Sequence, residues 1–330
     1  MMTHEPVPTP GHRGLGSAET VGLSRVLIAT DFSPQSACAR GRVRQLPLRE
    51  DAEILLVHVL PVEAAVGGRQ QEEEALARHA LEEAVHHTRE ERERARVACE
   101  VRGLLLRGIP AEALTQAARD FGAELVVLGR PRRPDSLLAR MREWVAGGLI
   151  ESIPTALLVV GPPPVCPYRR PLVAVDFTEA SQHALEAVLH LCPGASRVAV
   201  LHDYDTSYEL VLHQSPAQLS RILEYQRDAK AQARTRLQRF LAPYRHAGVH
   251  FDELVRSGDA TASILEIAQE EQADLVAVGR HLRLGLSRLV RPHTAPQVAR
   301  ESTCDVLVLE QEPSRAAGTS PVAPLPRMGP

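Results

Sequence analysis

Residues 124–130 read E-L-V-V-L-G-R, and residues 274–280 read D-L-V-A-V-G-R. The same phrase returns after 150 positions. It is an acidic residue, a short apolar run rich in β-branched side chains, and then glycine. Such a run reads as a strand buried on both faces of a parallel sheet. Its recurrence restricts the chain to folds that can be built twice. In sheets of this kind ligands bind beyond the C-terminal ends of the strands. The residues that follow Gly129 and Gly279 are therefore where function should be legible.

The rest of the chain repeats in step. R-V-L-I-A-T-D-F-S over 25–33 is answered by P-L-V-A-V-D-F-T over 171–178. Each opens with a strand, and Asp31 or Ser33 is placed to cap the helix that follows, to about Leu46. In the first half, strands are expected at 53–60, 97–107, 125–128 and 156–160. Helices are expected at 70–96, from Pro110 to Phe121, and around 143–152. In the second half, strands are expected at 197–202, 250–256, 275–278 and 305–309. Helices are expected at 215–247, 261–272 and up to Ser302. Gly108 and Gly258 sit at the same offset after the third strand of each half. Strands alternating with helices imply a parallel sheet covered on both faces. The expected division is a disordered tail over 1–24, a first domain over 25–161, a proline-rich linker over 162–170, a second domain over 171–311 and a second disordered tail over 312–330.

At 330 residues the chain can hold two cores. A formal charge of −3 provides no field that would recruit nucleic acid or an anionic membrane. The five cysteines are scattered and contain no C-x-x-C, a pattern that fits a reducing compartment without zinc or a disulfide framework. No apolar run approaches the roughly 18 residues of a spanning helix, and no secretory signal is visible. A cytoplasmic location is the expectation.

In order and spacing, these features resemble the universal stress protein family, present in tandem. The matching residues are the A-x-D-x-S/T turn at Asp31 and Asp176, the H-V pair His58 and Val59, G-I-P over 108–110, the strand-four glycines 129 and 279, and an apolar last strand. The resemblance implies a five-stranded parallel α/β sheet in each half, Rossmann-like and of the adenine nucleotide alpha hydrolase type. It also implies that the halves pair through 156–160 and 305–309 as an intrachain pseudo-dimer, with a homodimer and an unidentified protein as further partners. ATP or AMP is the implied ligand. Many family members hold ATP with G-x-x-G, nine residues, then G-S/T after strand four. Here 129–132 read G-R-P-R with R-E at 142–143, and 279–282 read G-R-H-L with P-H at 292–293. One glycine in three remains in each loop, and prolines 131, 134 and 292 remove N–H donors.

Two functional readings follow. The first is a non-catalytic stress-response regulator with degraded phosphate loops. The second is an ATP or AMP sensor. Its candidate site is Asp31, Val59, Gly108, Gly129, Arg130 and Arg132 in the first half, and Asp176, Gly258, Gly279 and Arg280 in the second. Arginine, which grips phosphate bidentately, would stand in for the lost glycines. The stretch from His202 to Asp205 with His213 does not form a recognisable metal set. No catalytic elbow, P-loop or H-E-x-x-H occurs, so no enzyme activity and no certain cofactor are assigned.

Overall fold

The computed structural model describes residues 22–62, 70–94, 99–130, 147–161, 163, 166–204, 216–280 and 294–310. Both stretches read as disordered tails lie almost wholly outside these residues. The first half runs β1 (Leu23–Ala29), α1 (Pro34–Val43), β2 (Leu48–Leu60), α2 (Gln70–Arg94), β3 (Cys99–Arg107), α3 (Pro110–Phe121), β4 (Leu125–Gly129), a helix α4 described over 147–152, and β5 (Ala156–Val160). The second runs β6 (Pro171–Ala174), α5 (Glu179–Leu191), β7 (Arg197–Tyr204), α6 (Pro216–Leu241), β8 (His250–Ser257), α7 (Ala260–Glu270), β9 (Leu275–Arg280), α8 (Thr294–Glu301) and β10 (Asp305–Glu310).

The ten strands form one sheet in the order β3-β2-β1-β4-β5-β10-β9-β6-β7-β8. Within each half every pair is parallel, and β1 lies between β2 and β4. The order reverses there, which makes the gap between the ends of β1 and β4 a switch point. The halves meet where β5 and β10 pair antiparallel, with Leu157 opposite Val308, Leu158 opposite Leu307 and Val159 opposite Val306. All six side chains are at most 3% exposed. Each contributes about 2 kcal/mol of apolar burial. Because the sheet is continuous, so is the core. One layer, under α1, α2 and α5, takes Ile28, Leu158, Leu307 and Val173, and the other, under α3, α4, α7 and α8, takes Leu27, Val159, Val306 and Leu172.

Several boundaries differ from the expectation. β1 begins at Leu23 and β2 at Leu48, because these two residues pair across a register shift. The charged run over 49–51 hides that start in the sequence. α1 ends at Val43, and Leu46 turns back into the core through its N–H to the Val43 carbonyl at 3.2 Å.

The stretch read as a linker is tied into the core. Tyr168 is 3% exposed, and its hydroxyl donates to Asp305 Oδ2 at 2.7 Å. Asp305 is fully buried and also accepts from Arg42 Nε at 2.7 Å and from the Gly161 N–H at 2.9 Å. Arg42 lies over the Tyr168 ring at 4.2 Å and donates to the Cys166 carbonyl at 2.9 Å. A buried carboxylate needs such a full set of donors. Burial, then Asp305, raises the Tyr168 phenol well above its usual pKa.

A lysine at Val159 and another at Val308 would place two unpaired charges in the layer under α4 and α8. The double variant V159K/V308K is expected to lose about 4 kcal/mol or more of stability, or its compact hydrodynamic size. Denaturant unfolding and size-exclusion profiles that match the parent would show that the halves do not depend on this strand pair.

Candidate functional site

The switch point of each half is built the same way. After β1 the chain turns through Asp31, Phe32 and Ser33. Asp31 Oδ1 accepts from the Ser33 N–H at 3.0 Å and from its hydroxyl at 2.5 Å. Ser33 in turn caps α1, accepting from the Ser36 N–H at 3.3 Å. After β6, Asp176 accepts from Thr178 at 3.2 and 2.5 Å, and Thr178 caps α5 at Ser181. The hydroxyl residues are thus the helix caps, and the aspartates hold the turns that present them.

Phe32 and Phe177 take φ of 61° and 65°. A bulky residue in that region is strained by about 1–3 kcal/mol and persists only where its surroundings hold it. A histidine from strand two does so. His58 lies 4.4 Å from the Phe32 ring and His202 lies 4.2 Å from Phe177, centroid to centroid. His58 Nδ1 sits 2.7 Å from the Thr30 carbonyl and His202 Nδ1 sits 2.8 Å from the Val175 carbonyl. A carbonyl can only accept, so Nδ1 carries the proton in both rings. Burial first, then Arg236, lowers the pKa of His202, against the carbonyl bond and the nearby aspartates.

The halves differ in what covers these rings. The Arg236 guanidinium stands 4.8 Å over Phe177, and Phe240 meets the same ring edge-on at 5.7 Å. Phe32 is 36% exposed. Val59, half-buried beside His58, is replaced in the second half by Asp203, which accepts from Ser263 at 2.6 Å.

The glycines read as remnants of a phosphate loop have a packing role. A Cβ on Gly129 would stand 2.3 Å from the Gln35 carbonyl oxygen and 2.8 Å from the Ser36 nitrogen. On Gly279 it would stand 2.8 Å from the Ser181 nitrogen. The backbone of the first helix lies directly on each. Gly108 and Gly258, at φ 150° and 141°, occupy backbone conformations that side chains rarely adopt, where the chain turns into α3 and α7.

The arginines that follow these glycines, proposed from sequence as phosphate ligands, have other partners. Arg130 donates through Nη1 to the Ser302 carbonyl and through Nη2 to the Cys304 carbonyl at 2.5 Å, both in the second half. Gly161 leaves room for its guanidinium, which would lie 2.7 Å from a Cβ there. Arg280 donates to the Ile153 carbonyl of the first half at 2.8 Å and pairs with Glu310 at 2.6 Å. Each arginine thus leaves the ligand loop of its own half and closes the end of the other's last helix. Burial lowers the pKa of both, Arg130 toward Asp305 and Cys304 and Arg280 toward Glu310 being partly offset by those groups. Sequence spacing could not show this, since the partners lie more than 120 residues away.

Arg132 and the remaining loop arginines of 131–146 and 281–293, with His281 and His293, lie outside the described residues. So do Asp205 and His213. Two open clefts, of about 630 and 560 Å³, flank β3, one lined by Glu50, Arg89, Arg92 and Glu100, the other by Leu55, Leu104, Ala113 and Phe121. Neither touches the switch point. Among the described residues no group of three metal donors occurs, and no helix is long and apolar enough to cross a membrane.

Replacing Gly129 with alanine should destabilise the fold by about 3 kcal/mol, because the α1 backbone must move. Thermal or denaturant unfolding of G129A checks this. Parental stability would mean that the glycine does not serve helix packing.

Comparison with known proteins is consistent with this architecture. The family model described as "Universal stress protein family" matches residues 22–161 and 167–310. A universal stress protein from Archaeoglobus fulgidus DSM 4304 superposes with a TM-score of 0.65 at 17% identity, covering 88% of this chain and 97% of its own. A functionally unknown protein, PA1789 from Pseudomonas aeruginosa PAO1, superposes with a TM-score of 0.51 at 18% identity, covering 89% and 94%. At these identities the likeness speaks for the fold. No curated protein matches the chain significantly.

Proposed function

The chain belongs to the universal stress protein family, in tandem form, and from that premise we propose a non-catalytic, cytoplasmic stress-response regulator whose two folds have lost their phosphate grip. One observation carries this reading. The first two residues of each expected phosphate loop, Gly129 with Arg130 and Gly279 with Arg280, serve packing and the opposite half. A backbone nest for phosphate needs free N–H groups and glycine freedom. Here the glycine is pressed against a helix backbone and the guanidinium is engaged elsewhere. With no phosphate held, regulation would pass through a protein partner.

A second reading is favoured by the difference between the halves. The exposed Phe32 ring, packed at a tilt of 34° against His58 beside Asp31 and Val59, offers a face to a planar base, while Arg236 and Phe240 cover the equivalent Phe177. If the protein is an ATP or AMP sensor, it would bind one nucleotide per chain in the first half. Asp31 would contact the base, and a loop arginine such as Arg132 the phosphate.

Calorimetric titration of ATP and AMP into native protein separates the two, after a check for co-purified nucleotide. The expected outcome is no binding tighter than about 100 μM and no retained nucleotide. A Kd below about 10 μM, at one site per chain and lost in Asp31→Ala, would replace the first reading with the second.

A further inference from the structure

The antiparallel junction leaves the ten-stranded sheet with two free edges, β3 and β8. In an edge strand alternate residues turn both N–H and C=O away from the sheet, and such a row is a template for another chain. On β3 the direction is fixed by Val101, whose carbonyl accepts from Arg89 Nε at 3.1 Å and Nη2 at 2.6 Å. Gly103, Leu105 and Arg107 are in step with Val101 and face the same open side. Among the described residues nothing bonds the outward main-chain groups of Gly103 and Leu105.

The two edges are guarded differently. β8 carries Asp252, Glu253 and Arg256, held in ion pairs with Arg197 at 2.7 Å, Arg245 at 3.0 Å and Glu270 at 2.9 Å. The first half of β3 is guarded likewise, by Glu100, Arg102 and the Arg89 cap. The second half is not. Leu104, Leu105 and Leu106 follow one another half-buried, Gly103 is exposed, and no charge intervenes before Arg107. Leu105 packs on the α2 face, and Leu104 and Leu106 line the groove of about 560 Å³ on the α3 face.

We propose that this half of β3 is the docking edge for a second copy of the chain, pairing antiparallel with its own counterpart about a two-fold axis at Leu105. The register follows from two stops. Arg89 occupies the Val101 carbonyl, and Gly108, at φ 150°, ends the strand. That leaves 103–107. A two-fold centred on this window sets Leu105 opposite itself, Leu104 opposite Leu106, and Arg107 opposite Gly103, which has no side chain to obstruct it. The leucines at 104 and 106 of both copies would then close over the two grooves, as facing side chains do across an antiparallel pair. The junction of β5 and β10 already solves an apolar edge in this way, with Leu158 opposite Leu307. A second copy meeting β8 instead would face its charges.

Sedimentation velocity from about 5 to about 200 μM tests this. The full chain is expected to shift from monomer toward twice its mass across that range. Leu105→Pro removes an outward N–H, which an edge strand tolerates, along with the leucine's packing on the α2 face. It is expected to stay monomeric at the highest concentration with an unchanged far-ultraviolet circular dichroism spectrum. Leu104→Lys places a charge in the groove without touching the backbone, and is expected to do the same. It decides the matter if the proline variant misfolds. A parent chain that remains monomeric throughout, or an assembly that survives Leu104→Lys, would overturn the proposal.

Discussion

The antiparallel contact between β5 and β10 is the interaction on which the rest of this structure depends. Each half is a parallel sheet whose last strand is apolar on both faces, and such a strand cannot remain an edge in water. Pairing the two last strands about a pseudo-two-fold axis removes both liabilities at once. It also merges the helix layers. The side chains of Leu158 and Leu307 point into one layer, those of Val159 and Val306 into the other, so neither half has a core separable from its partner's. This is the arrangement a homodimer of single repeats would reach, made permanent by a covalent connection.

Charged groups then lock the junction where apolar burial alone would leave polar ends unsatisfied. Arg130 and Arg280 act reciprocally, Arg130 donating to the Ser302 carbonyl at the end of α8 and Arg280 to the Ile153 carbonyl at the end of α4. Those carbonyls have no partner within their own helix, and a buried helix end needs donors. The third lock is asymmetric. Asp305 gathers Arg42, Tyr168 and the Gly161 N–H, whereas the position that matches it by strand register in the first half is Ala156, which has no polar side chain. The duplicated halves have diverged at the junction, and the connecting segment has become part of it.

That divergence bears on function. The arginines that lock the junction begin the loops that would hold phosphate, so the same side chain cannot serve both purposes. The halves differ again at the ring pair. Phe32 is open and Phe177 is covered, although both sit in the same strained turn against the same histidine. The asymmetry is consistent with either functional reading and restricts where a nucleotide could bind.

Much of the fold was legible in the sequence, because it rests on local pattern. The glycine-punctuated strands, the proline and glycine before α3, the 150-residue offset and the apolar ends at 156–160 and 305–309 determined two copies of one α/β unit and the strands that would join them. The start of β2 was hidden by the charges at 49–51, where Arg49 and Asp51 pair with each other and no apolar alternation shows. The site was less legible. Whether Asp31 or Ser33 caps α1 depends on a turn geometry that both residues fit. Whether Gly129 serves phosphate or packing depends on the backbone at Gln35, far away in sequence. The destination of Arg130 is 172 residues distant. Periodicity reports which faces are buried, and so the sequence by itself determined the repeat and its strands. What touches across 100 residues or more follows from the closed sheet, and so only the tertiary structure decided that the loop arginines join the halves and that one aromatic ring stays open.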